Sequence, residues 1–169
     1  MEILWSSWRS KYIESFKDEN DSQCIFCNAV ENPGKDSEML VVARREKCFV
    51  ILNRYPYNGG HVMIAPYRHV AEFGELSIEE LTGIMETIQE TIKILCKISK
   101  PQGYNIGANI GRVSGAGIPG HIHFHLVPRW NGDTSFMPVC ADTKIVSQGL
   151  EESQVVLSKY FEESASTIK

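Results

Sequence analysis

Five histidines occur in this chain, and three of them, His121, His123 and His125, alternate along one apolar stretch. In an extended strand, alternate side chains leave on the same face. The spacing therefore predicts three imidazoles along one side, with Ile122, Phe124 and Leu126 turned to the core. The bland alternative is a solvent face that happens to be rich in histidine. A row of imidazoles can bind a metal, exchange protons or attack an electrophile. Residues 111–120, just upstream, hold four glycines together with Arg112 and Ser114. Glycine permits close backbone approach, so N–H groups there can cradle phosphate oxygens, and Arg112 and Arg129 can add charge. A glycine-rich loop set directly before alternating histidines points to chemistry at phosphorus.

The elements that must position these residues follow from pattern. Strands are expected over 39–43, 47–52 and 61–65, all rich in Val, Ile or Phe, with Asn58-Gly59-Gly60 making a tight connection before the third. Ser77 and Glu80 form a capping box, and Leu81, Ile84, Met85, Ile88, Ile92 and Leu95 keep helical spacing until Pro101. Two further strands are expected near 104–110 and 121–127, and a last helix near 151–161. An earlier short helix over 3–16 would carry Trp5, Trp8 and Tyr12 near one face. Together these predict an α+β fold, a mostly antiparallel sheet with helices on one side.

Composition narrows the function. The chain has 169 residues, 43% of them hydrophobic and 22% charged, as expected of one ordinary globular domain. Its 17 Lys and Arg against 21 Asp and Glu give a net charge of −4, which argues against a nonspecific nucleic-acid partner. No run approaches the roughly 18 apolar residues of a membrane span, and the first 16 residues lack the apolar core of a secretory signal. Five cysteines, two of them in the C-x-x-C of Cys24 and Cys27, imply a reducing cytoplasm with thiols free or metal-bound. The C-x-x-C, expected in a loop, can be half of a zinc site, a reduced and partly buried pair, or a redox pair. No βαβ pattern surrounds it to favour the last. Cys48, Cys96 and Cys140 lie in apolar settings and read as core.

His121-Ile-His123-Phe-His125-Leu126-Val127 resembles the signature of the histidine-triad superfamily at every position. Leu52-Asn53-Arg54 with Gly60-His61-Val62-Met63-Ile64-Ala65-Pro66 is similar to the nucleoside-binding strand pair of that family. Trp5, Trp8-Arg9, Tyr12-Ile13, Cys24-Ile-Phe-Cys27, Gly117-Ile-Pro-Gly-His121, Pro128-Arg-Trp130 and Gly132-Asp-Thr-Ser-Phe-Met137 resemble its dinucleoside-polyphosphate phosphorylase and hydrolase branch. The likeness runs from about Trp5 to Leu150. It implies a histidine-triad fold: a mostly antiparallel sheet of about five strands, one long helix and short terminal helices. It also implies one domain, with a helical extension over 1–22, a core over 23–130 and a C-terminal extension over 131–169.

The resemblance implies nucleotidyl transfer on a dinucleoside polyphosphate such as diadenosine tetraphosphate. His123 would attack the α-phosphorus, His125 would contact a phosphate oxygen and assist the leaving group, and phosphate or water would then discharge the intermediate. A neutral imidazole is a competent nucleophile near pH 7, provided its other nitrogen gives its proton to an acceptor such as a backbone carbonyl. By position, Asn53 would face the ribose, His61 the α-phosphate region, and Asn109 the start of the glycine loop. Ser114, Gly115 and Gly117 would hold phosphate, and Trp130 would stack on a base or cap the core. Gly117-Ile118-Pro119 departs from the Gly-Gln-Ser/Thr that many members carry, so backbone amides or Ser114 must replace those side-chain contacts.

A structural zinc wants four ligands. Some members of the superfamily hold one with a Cys-Cys-His-His set, and the matching positions are Cys24, Cys27, His69 and His121. The likeness further implies a homodimer joined at a sheet edge. Competing functions are a nucleoside 5'-phosphoramidate hydrolase using the same His123, and a regulatory protein that binds nucleotide without turnover.

Overall fold

The computed structural model describes residues 24–133 and 149–167. The expected helix over 3–16, Cys140 and residues 134–137 lie outside them. Five strands, β1 (Val41–Arg44), β2 (Cys48–Leu52), β3 (Val62–Pro66), β4 (Gly103–Ala108) and β5 (Phe124–Arg129), form one antiparallel sheet in the order β1-β2-β3-β5-β4. Three α-helices occur among the described residues: α1 (Ile25–Glu31), the long α2 (Ile78–Ser99) and α3 (Leu150–Thr167). The α+β class and the antiparallel sheet are as the sequence predicts.

Every residue of β2 and β3 is buried, which is why both read as continuous apolar runs rather than alternating ones. One face packs on α2, where the Cys48 Sγ lies 3.2 Å from the Thr87 Oγ1. The Ser77 side chain accepts the Glu80 N–H at 3.2 Å while the Glu80 carboxylate accepts the Ser77 N–H at 2.8 Å, so the capping box forms in full. Gly83 sits inside this helix at a close approach: a Cβ there would lie 3.0 Å from the Lys47 Cβ, so any larger residue would push α2 and the start of β2 apart by a few tenths of an ångström.

The opposite face is not left open, which corrects the expectation of helices on one side. Phe26 of α1 is fully buried there, 6.3 Å from the Phe49 ring in edge-on contact. The C-x-x-C is likewise not in a loop, since Cys24 is the N-cap of α1 and Cys27 lies within it. Helix α3 continues past residue 161 to Thr167, because residues 162–167 contain neither Pro nor Gly to stop it. It docks through buried Leu157 and Phe161, and the Gln154 side-chain amide donates to the Val41 carbonyl at 3.0 Å. Cys96 is exposed on α2, not part of the core. Strand β5 starts at Phe124, later than expected, because the Ile122 N–H donates to the Val70 carbonyl at 2.7 Å instead of to a strand partner.

Candidate active site

Strand register brings the chemistry together. Ile51 opposes Met63, Met63 opposes His125 and His125 opposes Gly107, so these residues form one row across the sheet. His123, two residues before His125, lies on the same face, and the two rings are 4.9 Å apart between centroids. The face is that of Phe26, whose ring meets His121 at 5.0 Å and His123 at 4.8 Å. The sequence predicts the shared side but not its cover: His121 and His123 are buried.

Hydrogen bonds fix the tautomers. A carbonyl oxygen can only accept, so the contact of 2.8 Å between His123 Nδ1 and the His121 carbonyl puts the proton on Nδ1 and leaves a lone pair on Nε2. The Tyr57 N–H donates to His61 Nδ1 at 3.1 Å, which puts the His61 proton on Nε2. That proton points at His125 Nδ1, 3.0 Å away, so neutral His125 carries its own proton on Nε2. Burial lowers the pKa of all three rings: His61 to about 3 and His125 to about 4, with neighbouring imidazoles adding to the effect, and His123 in the same direction. One face thus holds a buried imidazole with a free lone pair beside a second imidazole with a free N–H.

His123 and His125 line a cavity of about 440 Å³. Of the residues expected to bind substrate, Asn53, Asn109, Gly115 and Gly117 line the same cavity. Asn53 is buried, its Oδ1 accepting the Tyr55 N–H at 2.9 Å, an Asx turn that begins the β2–β3 connection. Gly115 has φ of 89°, a left-handed turn that glycine adopts without strain. His61 stands behind His125 rather than in the cavity wall. Ser114 and Trp130 are not brought to the cavity. The Ser114 hydroxyl donates to the Gly111 carbonyl at 2.7 Å, and the Trp130 indole N–H donates to the Ser99 carbonyl at 3.1 Å, in a separate hollow beside Leu95. Arg129 is engaged by Asp133, and Arg112 does not reach the cavity either; the cation in its wall is Arg54.

Cys24, Cys27, His69 and His121 converge next to this site, with one donor atom from each lying within 4.8 Å of every other. His121 Nδ1 is 3.4 Å from Cys24 Sγ and 3.6 Å from Cys27 Sγ, and His69 Nδ1 is 3.1 Å from Cys27 Sγ. A tetrahedral ion with ordinary metal–sulfur and metal–nitrogen bonds separates such atoms by about 3.5 Å. His121 donates through Nε2 to the Pro66 carbonyl at 2.9 Å, which leaves Nδ1 as a lone pair aimed at the sulfurs. Burial and the adjacent Cys24 sulfur push the Cys27 thiol up to about 11, a conflict that a divalent cation between the two sulfurs resolves. The donor set fits a metal ion.

A family model, the HIT domain, matches residues 35–132, more than half of the chain. The chain belongs to the HIT domain family. It is 35% identical over 162 residues to a protein of Mycobacterium tuberculosis named AP-4-A phosphorylase, covering 94% of this chain and 83% of that one. It is 30% identical over 95 residues to the asymmetrical bis(5'-nucleosyl)-tetraphosphatase of Schizosaccharomyces pombe, covering 56% and 52% respectively. The crystal structure of a zinc-bound histidine triad family protein from Mycobacterium smegmatis superposes with a TM-score of 0.67 at 23% identity, over 88% of this chain and 99% of that one, which establishes the fold.

Within this HIT site, three residues carry more than their sequence positions announce. Phe26 packs on two of the triad rings, and its only signal is its place inside the C-x-x-C. Tyr57 orients His61 with its backbone and stacks its ring on His125 at 5.9 Å and 29°. Arg54 follows Asn53 and lines the cavity. Backbone donors and loop paths of this kind leave no periodic trace.

Proposed function

We propose that this HIT protein transfers a nucleotidyl group from a dinucleoside polyphosphate, through a covalent nucleotidyl-histidine on His123, to inorganic phosphate. The observation that carries the reading is the 2.8 Å bond from His123 Nδ1 to the His121 carbonyl, which reserves Nε2 as a nucleophile beside the His125 N–H. His123 Nε2 would attack the α-phosphorus as the bond to the bridging oxygen breaks. His125 would donate a hydrogen bond from its Nε2–H to that oxygen, so the nucleoside polyphosphate would leave as an anion, His123 would carry the positive charge of the adduct, and His125 and His61 would each keep their proton. Phosphate would then attack the same phosphorus, break the P–N bond and release a nucleoside diphosphate, so diadenosine tetraphosphate would yield ATP and ADP. The likeness to an AP-4-A phosphorylase over nearly the whole chain supports phosphate, not water, as acceptor. Gly117 would supply a backbone donor to the phosphate oxygens, the Gly115 N–H being given to the Arg112 carbonyl at 3.1 Å, and Asn53, with its Oδ1 taken, would offer its amide NH₂ to a ribose hydroxyl.

The ion proposed for Cys24, Cys27, His69 and His121 is zinc. With four protein ligands it supplies a cross-link and no open coordination position. Its ligands tie α1, which carries Phe26, to the residue whose carbonyl orients His123. The reading includes a single domain with the boundaries expected above, and a reducing, cytoplasmic setting, with the four cysteines among the described residues outside any disulfide and two of them given to the metal. It also includes a homodimer joined along β4, an edge strand whose Ile106 is half exposed.

Diadenosine tetraphosphate incubated with the protein, with and without inorganic phosphate, tests the reading when the products are resolved by chromatography. ATP and ADP should appear only with phosphate and should vanish in His123→Ala. AMP and ATP formed without phosphate would make the protein a hydrolase, and intact substrate in both incubations would defeat the reading.

A further inference from the structure

A substrate that carries several phosphates needs positive charge, and the histidines of this site are placed to be neutral. Among the described arginines, Arg44, Arg45, Arg68 and Arg129 each hold a carboxylate, respectively Asp36, Glu90, Glu80 and Asp133. Arg112 lies off the cavity. Arg54 alone among the lining residues is a lysine or arginine; its side chain is exposed and pairs with no carboxylate among the described residues.

Its position has a direction. The β2–β3 connection that carries Arg54 is closed at its base by the Asn53 N–H donating to the His61 carbonyl at 3.0 Å. Further along, the same connection supplies the Tyr57 N–H that orients His61, and the Tyr57 ring stacks on His125. Thus the loop is built around the histidine that meets the leaving oxygen. In an in-line displacement by His123, the leaving group departs on the side of His125, towards this loop.

We propose that Arg54 is the specificity-determining residue that holds the phosphates distal to the scissile bond, so that the site prefers a nucleotide whose leaving group is itself a polyphosphate. This deepens the nucleotidyl-transfer reading and rests on it. Guanidinium suits the role because its planar fork can meet two phosphate oxygens at once.

The test compares two substrates with the same adenylyl group: diadenosine tetraphosphate, and the p-nitrophenyl ester of AMP, whose leaving group carries no phosphate. Steady-state kcat/KM is measured for the wild type, Arg54→Ala and Arg54→Lys, with thermal unfolding to verify the fold. The ratio of kcat/KM for the tetraphosphate to that for the ester should fall about 10- to 100-fold in Arg54→Ala, with partial recovery in Arg54→Lys. The preference of the wild type for the tetraphosphate should also weaken as salt is raised. An unchanged ratio, with both substrates slowed together or neither slowed, overturns the inference and leaves nucleotidyl transfer standing. Wild-type turnover of the ester but not of the tetraphosphate overturns the inference and, with it, the dinucleoside polyphosphate as donor, and leaves only adenylyl transfer through His123. Turnover of neither substrate overturns both.

Discussion

His123 Nδ1 lies 2.8 Å from the carbonyl oxygen of His121, whose own ring faces two cysteine sulfurs. One residue therefore serves two sites, its side chain joining the cysteine–histidine cluster and its backbone setting the tautomer of the buried imidazole two positions on. The spacing of two residues that puts these histidines on one face also makes this short backbone bond available.

The first expected outcome concerns the cluster. Purified protein should contain about one zinc per chain by elemental analysis, and Cys27→Ser should lower that content. A ligand held at a thousandfold excess over its Kd adds about 4 kcal/mol to stability. At roughly 2–4 °C per kcal/mol for a chain of this size, stripping the ion should lower Tm by about 10 °C. A metal-free protein whose Tm ignores chelator would remove zinc from the account.

His61 touches His125 and not the cavity, so it acts as a positioning residue. Replacing it with Phe keeps an aromatic ring but removes the donor that fixes the His125 proton on Nε2. Turnover of diadenosine tetraphosphate, whose leaving oxygen takes a hydrogen bond from that N–H, should fall roughly 10- to 100-fold, at or below the lower end of the 10²–10⁴ that a positioned proton donor contributes. The p-nitrophenyl ester of AMP, whose leaving phenolate spreads its charge into the nitro ring and so depends less on that hydrogen bond, should be slowed less. Equal losses on the two substrates would mean that the ring only supports the fold.

The same pair makes stability depend on pH. The folded-state values, about 3 for His61 and about 4 for His125, lie below the ordinary 6.5, so between them the unfolded chain binds more protons. Stability rises with pH wherever that holds. It is therefore present in full above about pH 6.5 and is lost progressively as pH falls towards 4. Urea midpoints at pH 7.5, 6 and 5 should fall in that order, and less steeply in His61→Phe than in the wild type. A midpoint that rises on acidification would contradict burial of neutral imidazoles.

Phe26 is fully buried against Phe49, His121 and His123. Removing the ring leaves a cavity between sheet and helix, which ordinarily costs about 3–5 kcal/mol. Phe26→Ala should therefore show a much lower denaturation midpoint, with Phe26→Leu between it and the wild type. A midpoint within experimental error of the wild type would show that α1 does not pack as described.

Much of the scaffold could be read directly because it is local. The Ser77–Glu80 box starts α2, and the apolar runs of β2 and β3 declare strands, although the cover on their second face came only with the docking of α1. The alternation of His121, His123 and His125 declares a shared side, because a period of two is a property of the extended backbone itself. Asn53, Asn109, Gly115 and Gly117 could be placed by likeness of motif, and the fold does gather them around His123 and His125.

The tertiary structure decided what depends on contacts between distant segments. Cys24 and Cys27 reach His121 across more than ninety residues, and His61 reaches His125 across sixty-four. Strand pairing and the docking of α1 create those meetings, and neither leaves a period in the sequence. The tertiary path also took Ser114 and Trp130 away from the cavity and put Arg54 into its wall, since a loop's route depends on what it packs against. Residue types and spacing thus determined which chemistry the chain carries. Only the fold decided which nitrogen holds each proton, because a tautomer is set by the acceptor that folding brings within reach.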